Sequence, residues 1–497
     1  MASIHPNSSS LAAPRPGRLA AVPEGSADGA KADHPPVGLY RDQIQTVAAV
    51  SGVRRTSTIF GHGGSSYSSA LNSCPSTNSA YSSGSASAIA LERLGNQELR
   101  GIAHRMVSDG YAQRMVEAFV RASPAPAFNF RAIPVHALTN WFSELDVDWV
   151  LQIDDEHGLR QLLRDKPATT QDLIDKWIRA LTAIAATTTE LGYAFHMTPA
   201  VIPFGKASIT KMLDVVDVII AIVEAEKLQV VLDMFTCVCG ASHMLSIFNN
   251  IGSLIERQAK RLSKITVSTM EEVRTLVEEH DSWAIDIPRG GGEVHKNTRL
   301  IMDCVVSMKN AWTSVQNSTP SQSTENLRGM IDGTIDYLKD LLFTKSESCS
   351  DEGLRYLFLL NNTYFVAHVV SESSASPAYL NQLHYCEKYM DSYLDVSWGY
   401  VLSCIPKSRF PGLIHCWINT SSLAKFESAF HKTYQIQKLW KVPDPRLRDA
   451  LRRAIIERAI TGYRNYLEEH PELEKHVGRG SSSPKVLEEM LGELFEG

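Results

Sequence analysis

The amino-acid sequence predicts an all-α protein: an elongated rod of stacked antiparallel helical bundles, preceded by a disordered N-terminal tail rich in serine and proline. From about residue 97 onward, apolar side chains recur at the spacing of one helical face. No convincing series of alternating β-branched residues indicates strands, and no fixed repeat of the tetratricopeptide or HEAT kind is present. Successive bundles of irregular helices laid end to end would make a rod. We therefore divide the chain into a tail, residues 1–96, and a helical body, residues 97–497.

Composition and charge exclude several classes of function for this chain of 497 residues. Its 44% apolar residues suffice for a large core, and its formal net charge of −6 argues against nucleic acid as a general partner. No apolar run approaches the ~18 residues that a membrane span needs, and no signal peptide opens the sequence. The eight cysteines are dispersed, without the spacing of a zinc site. We expect a cytoplasmic protein without metal or cofactor, whose contact with membranes is peripheral.

The predicted tail differs in composition from the rest of the chain. Prolines punctuate its first part, and twelve serines lie between residues 57 and 87. Such a segment cannot bury enough apolar surface to offset the entropy lost on ordering, which predicts disorder. Within the tail, the stretch around Gln43–Val50 is the part that we consider compatible with a short docking helix.

One helix of the body is predicted over Gln171–Ala186. Thr169 and Asp172 have the spacing of a capping pair that would start it. Four apolar residues inside the helix follow one another at spacings of four, four and three, the step of a single helical face. These residues are Leu173, Trp177, Leu181 and Ile184.

Capping signals predict where two further helices begin. Ser268 and Thr269 are each followed three residues later by a glutamate, the pattern of a capping box, and an apolar helix continues after them. Asn297 or Thr298 is predicted to cap a helix over Arg299–Trp312.

Two later segments show contrasting helical patterns. Leu354–Val366 is apolar almost all round, which predicts a helix buried on every side. Pro484–Phe495 places its apolar residues on one side and three glutamates on the other, which predicts an amphipathic helix. Ser483 before Pro484 is a favourable start signal for that last helix.

A sharp break follows the helix that carries Tyr434–Trp440. Pro443 ends that helix, because proline has no backbone donor and clashes with the preceding turn. Asp444 is predicted to cap the next helix, a contribution of about 0.5–2 kcal/mol, and Pro445 suits the first helical position. The pattern predicts a corner that joins two antiparallel helices.

The helix after the corner carries an apolar ladder and several arginines. The ladder drifts by ~40° per step, which predicts contact with more than one neighbour. Arg446, Arg453 and Arg464 share another face; it is either a solvated surface, where Asp449 and Glu457 pair with Arg453, or a binding patch. Near an anionic membrane three arginines contribute ~3 kcal/mol, so membrane binding would need further basic groups or avidity. The ladder consists of Leu447, Leu451, Ile455, Ala459, Tyr463 and Leu467.

Several motifs in chain order resemble the plant form of the seventy-kilodalton exocyst subunit family. The resemblance covers about 400 residues. It includes the first body helix, a glycine turn before a helix entry, a buried Asn-Asn helix, a C-terminal signature and the chain end. The residues that carry it are Met106, Gly110, Tyr111 and Arg121; Gly292-Glu-Val-His295 with Thr298-Arg299; Arg355-Tyr-Leu-Phe-Leu-Leu-Asn-Asn362; Phe426, Ala429, Phe430, Tyr434, Gln437, Trp440-Lys-Val-Pro-Asp444 and Leu447-Arg448; and Met490-Leu-Gly-Glu-Leu-Phe-Glu-Gly497.

The resemblance implies a non-catalytic rod that helps tether secretory vesicles to the plasma membrane in exocytosis. It implies three kinds of partner: other exocyst subunits, small GTPases and an anionic phosphoinositide surface, with phosphatidylinositol bisphosphate as the lipid, bound at the C-terminal tip. The family's Lys-Tyr-(Ile/Val)-Lys lipid motif corresponds here to Lys475-His-Val-Gly478, with Arg479 adjacent. Family members commonly carry a longer N-terminal coiled coil, where this chain has its serine-rich tail. The candidate lipid-binding residues are Arg453, Arg464, Lys475 and Arg479.

The sequence offers no sign of an active site. Gly290-Gly-Gly292 lacks the following Gly-Lys-Ser/Thr of a phosphate-binding loop, and neither His-Glu-x-x-His nor Gly-x-Ser-x-Gly occurs. We therefore predict that the protein is not an enzyme. The alternative to vesicle tethering is a plant helical adaptor that has diverged from the exocyst and binds defence, autophagy or pathogen effector proteins.

Overall fold

The chain is described by a computed structural model. The described residues all lie in the compact unit Pro36–Gly497. For residues 80–91, 135, 165, 377–383 and 415–420, the backbone alone is described. The described residues are 38–48, 80–122, 135–165, 169–194, 199–223, 226–316, 322–371, 377–405, 415–471, 473 and 483–496.

Helices make up nearly all of the described structure, which confirms the predicted all-α class. Within the described ranges the sole β-type pairing is an isolated antiparallel bridge between Lys441 and Glu496. Short 3₁₀ turns lie at Val135–Ala137 and Asp148–Leu151. The α-helices are α1 (Arg41–Thr46), α2 (Ala80–Ser108), α3 (Tyr111–Ala122), α4 (Thr139–Glu144), α5 (Glu156–Asp165), α6 (Thr170–Ala194), α7 (Val201–Asp214), α8 (Val216–Ile222), α9 (Lys227–Met244), α10 (Asn249–Glu278), α11 (Trp283–Arg289), α12 (Lys296–Val315), α13 (Gln322–Ser346), α14 (Glu352–Ser371), α15 (Pro377–Ser403), α16 (His415–Gln437), α17 (Pro445–Ile455), α18 (Thr461–Glu469) and α19 (Pro484–Gly492).

The helices pack as successive antiparallel neighbours. Helix α9 packs on α10, α12 on α13, and α14 on α15, and the two helices of each pair follow one another in the chain. Helices α6 and α12 also contact α9, so adjacent pairs share a continuous core of buried apolar residues. This arrangement confirms the predicted stacking of helical bundles, and the buried apolar area is its main source of stability.

Helix α6 begins as the sequence predicts and continues eight residues beyond its predicted end at Ala186. The backbone N–H of Thr169 donates to Asp172 Oδ2 at 2.9 Å, and the N–H of Asp172 donates to Thr169 Oγ1 at 3.1 Å. This reciprocal cap satisfies two donors that the first turn of a helix leaves unpaired. Its predicted apolar face is buried, and the Trp177 side chain donates to the Met212 carbonyl of α7 at 2.7 Å.

The predicted boundary between tail and body, at residue 96, is wrong. Helix α2 already begins at Ala80, and the carboxylate of Glu92 is buried and accepts a 2.7 Å hydrogen bond from Ser314 of α12. Helix α1 also lies inside the predicted tail and resembles the predicted docking helix. Composition misled the prediction because a serine-rich average over residues 57–87 hides the start of a helix at Ala80. The remainder of the tail, 1–37 and 49–79, lies outside the described residues.

Two predicted helix starts are also wrong. Residues around Ser268 and Thr269 lie inside the single helix α10, where the Ser268 hydroxyl donates to the Ile265 carbonyl at 3.1 Å. A serine hydroxyl can bond its own preceding turn as well as cap a helix, so the local pattern is ambiguous. Helix α12 is capped by His295, two residues before the predicted cap Asn297.

Candidate lipid-binding tip

The break before the arginine-bearing helix has the predicted local structure. Asp444 Oδ1 accepts hydrogen bonds from the backbone N–H groups of Arg446 at 2.8 Å and Leu447 at 2.9 Å. Pro445 occupies the first helical position, where its missing donor costs nothing. Ser483 caps α19 in the same way, by accepting from the N–H of Val486 at 3.4 Å. Both predicted helix starts are confirmed.

The predicted corner between two helices is present, and beyond it the Tyr463 ring of α18 stacks on Phe426 of α16 with 4.5 Å between their centroids. Helix α17 packs mainly on α15 and α19, and α16 is not among its main partners. The segment between α16 and α17 runs between two other parts of the chain. The N–H of Lys441 donates to the Gly291 carbonyl at 2.8 Å, and the N–H of Val442 donates to the Phe495 carbonyl at 3.2 Å. These tertiary bonds, which no local pattern reveals, set the direction of α17.

Beside the corner lies a buried polar contact that we call the C-terminal joint: residues 291–298, Asn361–Asn362, 438–442 and 494–496. Asn361 Nδ2 donates to the carbonyls of Gly292 at 2.7 Å and Lys441 at 2.9 Å. Asn362 Oδ1 accepts from the backbone N–H of His295 at 3.0 Å and from Thr298 Oγ1 at 2.7 Å. Four of the five motifs that carry the family resemblance therefore meet in space, and the C-terminal joint is where they hold four segments together.

Two glycines make the C-terminal joint possible. Gly291 and Gly292 have φ values of +61° and +80°, a backbone conformation that side chains disfavour. A Cβ atom on Gly291 would lie 2.7 Å from the Leu439 carbonyl oxygen. The close backbone approach that lets Lys441 reach Gly291 therefore requires glycine at this position.

His295 is a neutral cap inside the joint. Its Nδ1 accepts from the N–H of Asn297 at 3.2 Å, and its ring stacks on Trp283 with 3.8 Å between centroids. Burial lowers the pKa of His295 to about 4. A hydrogen bond from Ser282, with further help from Lys296, lowers the pKa of nearby Asp286 to about 2. At neutral pH the histidine is uncharged and the aspartate is ionised.

Helices α17 and α18 are joined by a π-helical turn, Ile456–Ile460. All six residues of the predicted ladder, from Leu447 to Leu467, are less than a tenth exposed. The i→i+5 bonds of a π turn change the angular step of the helix, and this offsets part of the ~40° drift of each four-residue step. The ladder faces α15 and α19, which confirms contact with more than one neighbour.

Three arginines outside the predicted lipid-binding set hold this region together. Arg448 pairs with Glu496. Arg452 also pairs with Glu496, at 2.8 Å, and its Nε donates to the Leu494 carbonyl at 3.1 Å. Arg458 Nη1 lies 2.6 Å from Asp395 Oδ1 of α15. The sequence places Arg448 and Arg452 about one helical turn apart, which indicates that they share a face of the helix. That spacing does not reveal their partner Glu496, which lies more than forty residues away.

The four predicted lipid-binding residues differ in their surroundings. Arg453 is exposed on α17 and forms an ion pair with no described residue, so its predicted pairings with Asp449 and Glu457 are wrong. Arg464 of α18 pairs with Glu488 of α19. Lys475 and Arg479 lie outside the described residues. The two described candidates, Arg453 and Arg464, lie on consecutive helical segments.

Acidic residues balance the basic ones across the C-terminal tip, which we define as residues 445–496. This range contains nine Lys and Arg residues and ten Asp and Glu residues, a formal net charge of −1. A surface that binds anionic lipid by charge alone usually carries a local excess of basic groups. Because the tip as a whole has no net positive charge, any lipid contact here must use individual arginines and lysines rather than overall electrostatic attraction.

The described part of the chain holds neither a membrane span nor a metal cluster. No helix in these ranges combines the length and apolar character needed to cross a membrane. Within the same ranges, no three His, Cys, Asp or Glu side chains converge in a way that could hold a metal ion.

Comparison with known proteins identifies the family. The family model for the C-terminal part of the Exo70 exocyst complex subunit matches residues 203–493. Exocyst complex component EXO70A3 of Arabidopsis thaliana is 26% identical over 301 residues, covering 55% of this chain and 50% of the relative. Exocyst complex component EXO70A1 of the same plant is 26% identical over 312 residues, covering 55% and 47%.

The chain spans about half of the length of these curated relatives. A solved structure of Saccharomyces cerevisiae Exo70 aligns with a TM-score of 0.41 and 12% identity, covering 83% of this chain and 88% of the yeast chain. The family model covers more than half of the chain and includes every helix from α8 to α19. The chain therefore belongs to the Exo70 family of exocyst complex subunits, by the C-terminal region that defines it.

Proposed function

We propose that this chain is a non-catalytic exocyst-type subunit that helps tether secretory vesicles to the plasma membrane in exocytosis. The observation that carries the proposal is the family match over residues 203–493. The curated relatives that it resembles are named exocyst complex components. In this role the protein stays in the cytoplasm and is recruited to the membrane peripherally, and its partners are other exocyst subunits and small GTPases.

The packing of the body suits a role based on geometry rather than chemistry. The buried asparagines of the C-terminal joint have their hydrogen bonds directed at backbone groups and Thr298, and none of these contacts opens toward a substrate. A tethering subunit needs surfaces held at fixed positions, and several weak contacts on such surfaces multiply into strong binding. The stacked helices supply such surfaces.

The test of this role is affinity purification of the tagged full chain from plant tissue. We expect the other exocyst subunits to be recovered in stoichiometric amounts. Recovery of unrelated partners without exocyst subunits would refute the proposal and support the second candidate, a plant helical adaptor for defence, autophagy or effector proteins. The acid–base balance of the C-terminal tip favours this second candidate, because it weakens attraction to a membrane.

We further propose that the C-terminal tip binds phosphoinositide through Arg453, Lys475 and Arg479, with a smaller contribution from Arg464. Arg453 is exposed and pairs with no described carboxylate, whereas Arg464 must leave Glu488 to reach a phosphate. At ~1 kcal/mol per basic residue, four groups give binding in the millimolar range, so avidity within an assembly would be needed.

Liposome binding tests the tip directly. The double variant Lys475→Glu with Arg479→Glu should reduce cosedimentation with vesicles that contain phosphatidylinositol bisphosphate. The matched control is Arg257→Glu with Lys264→Glu, which makes the same change in net charge on the exposed face of α10. If both variants lose binding equally, or neither does, at physiological salt, the tip is not the lipid site.

A further inference from the structure

A short segment of the N-terminal region, residues 38–48, lies in a cleft of the body. The cleft is lined by Glu144 and Asp146 at the end of α4, by Tyr111 of α3 and by residues of α2 and α6. We propose that this cleft is a peptide-binding site, which the chain's own residues 38–48 occupy and from which a partner peptide of the same pattern displaces them. The pattern is an aromatic residue followed by a basic one, with aliphatic residues four and seven positions after the aromatic.

Recognition of the backbone comes from Glu144. Its carboxylate is fully buried and accepts hydrogen bonds from the N–H groups of Gly38 at 2.5 Å, of Tyr40 and of Arg41 at 3.1 Å. Tyr111 Oη also donates to it, at 3.0 Å. No basic side chain in the described ranges pairs with Glu144, so the charge of this carboxylate is met largely by the incoming peptide backbone. If the segment left, the buried carboxylate would lose three of its four hydrogen-bond donors, which is unfavourable. The state in which a peptide backbone occupies the cleft is therefore favoured.

Recognition of the basic residue comes from Asp146. Arg41 Nη2 lies 2.5 Å from Asp146 Oδ1, and Lys176 Nζ lies 2.8 Å from Oδ2. Burial alone would raise the pKa of Asp146, but the hydrogen bonds from Lys176 and Arg41 outweigh it and lower the pKa. Asp146 has a φ of 61°, an uncommon conformation for a residue other than glycine. Strained residues of this kind concentrate at ligand-binding positions.

Recognition of the apolar residues follows the helical step of the segment. Tyr40, Ile44 and Val47 are each no more than 3% exposed. The Tyr40 ring packs edge-on against Tyr111 with 5.4 Å between centroids, and its hydroxyl donates to Asp109 at 2.5 Å. The intervening residues Asp42 and Gln43 face solvent. The segment therefore binds as an amphipathic peptide does, with one face in a groove.

The segment behaves as a ligand because it cannot fold by itself. Helix α1 has six residues, well below the ~12–15 that an isolated helix needs to persist in water. Its structure must come from the cleft. Residues 49–79 connect it to α2, so docking is unimolecular, and a free peptide competes against the effective concentration set by that connection.

Binding of a labelled peptide to the full chain tests the proposal. The peptide carries residues 36–50, and its binding is followed by fluorescence polarisation. The double variant Tyr40→Ala with Arg41→Glu weakens the internal segment, and we expect it to bind the peptide at least about tenfold more tightly than the unaltered chain. Adding Glu144→Gln to this variant should weaken peptide binding at least about tenfold, because one charged acceptor is lost.

Controls make the outcome decisive. The variant Asp42→Ala changes an exposed residue of the same helix and should bind the peptide as the unaltered chain does. A peptide with the Tyr40→Ala and Arg41→Glu changes should not bind. If the double variant is unstable by circular dichroism, the milder Arg41→Ala keeps the apolar face and carries the same test. A folded variant that binds the peptide no better than the unaltered chain, or binds regardless of Glu144→Gln, would overturn the proposal.

Discussion

Two buried polar contacts hold distant parts of this chain together, and they differ in chemistry. At the C-terminal joint, Asn361 and Asn362 use neutral amides to bond backbone groups of two other segments. At the N-terminal cleft, Glu144 and Asp146 use charged carboxylates to hold residues 38–48. A neutral network whose partners are all internal contributes to a permanent core. A charged contact with a short segment can open, because a helix of six residues does not persist by itself once it leaves the cleft.

The largest expected effect comes from removing the neutral network. Asn362→Leu leaves the His295 N–H and the Thr298 hydroxyl without their buried acceptor and should lower the free energy of unfolding by about 4 kcal/mol. Urea unfolding measures this loss. The control Asn326→Leu lies on the exposed face of α13 and should change stability by less than about 0.5 kcal/mol. If both variants lost the same free energy of unfolding, the buried hydrogen bonds of the C-terminal joint would contribute no more to stability than an exposed side chain does.

The C-terminal joint should also weaken in mild acid. The pKa of His295 is about 4 in the folded protein and 6.5 without burial, so only the unfolded chain takes up this proton between those values. The contribution of His295 to stability is therefore constant above pH 6.5 and falls below it, by up to about 3 kcal/mol at pH 4. His295→Asn keeps a capping acceptor but cannot titrate, and should flatten the profile in this window. His157→Asn, on the exposed surface of α5, should leave the profile unchanged.

Alanine substitutions at two glycines should change the stability by smaller amounts and with opposite signs. Gly291→Ala places a Cβ 2.7 Å from the Leu439 oxygen at a positive φ, and should destabilise the protein by about 2 kcal/mol. Gly333→Ala in α13 meets no atom within 4 Å and should stabilise it by about 0.5–1 kcal/mol. Thermal unfolding of both variants checks the opposite signs. A stabilising Gly291→Ala would contradict the close approach of residues 439–441.

The smallest effect is expected at the N-terminal cleft. Asp146→Asn keeps a residue type that tolerates positive φ but removes the charge that meets Arg41 and Lys176. We expect a local loss of about 1 kcal/mol, seen as several-fold faster chymotryptic cleavage at Tyr40 without a change in overall unfolding. Lys260→Ala, which breaks an exposed pair with Glu256, serves as the control and should not alter cleavage.

The sequence predicted the fold class well because helical periodicity and caps are local signals. The cap of α6 by Thr169 and Asp172 and the cap of α17 by Asp444 formed as expected. The motifs that resemble the family also identified it correctly. Local patterns failed where tertiary contacts decide the outcome: Ser268 lies within a continuous helix, and α17 takes its direction from bonds to Gly291 and Phe495.

The candidate site was predicted less completely than the fold. Arg453 is exposed as expected, but the pairing of Arg464 with Glu488 could not be read from residues twenty-four positions apart. The roles of Arg448, Arg452 and Glu144 were missed for the same reason, since their partners are distant in sequence. The docking helix was indicated around Gln43–Val50, but the contacts of Tyr40 and Arg41, just before that stretch, could not be predicted because their partners lie about seventy or more residues away.

Hydrogen exchange of the full chain, followed by mass spectrometry at pH 7, tests most directly whether the two contacts differ in permanence. We predict that amides of residues 38–48 exchange at least about a hundredfold faster than those of residues 291–298 and of α14, because the cleft opens locally while the joint opens only on global unfolding. Equal protection of the two regions would contradict the account, since residues 38–48 would then be a fixed part of the core.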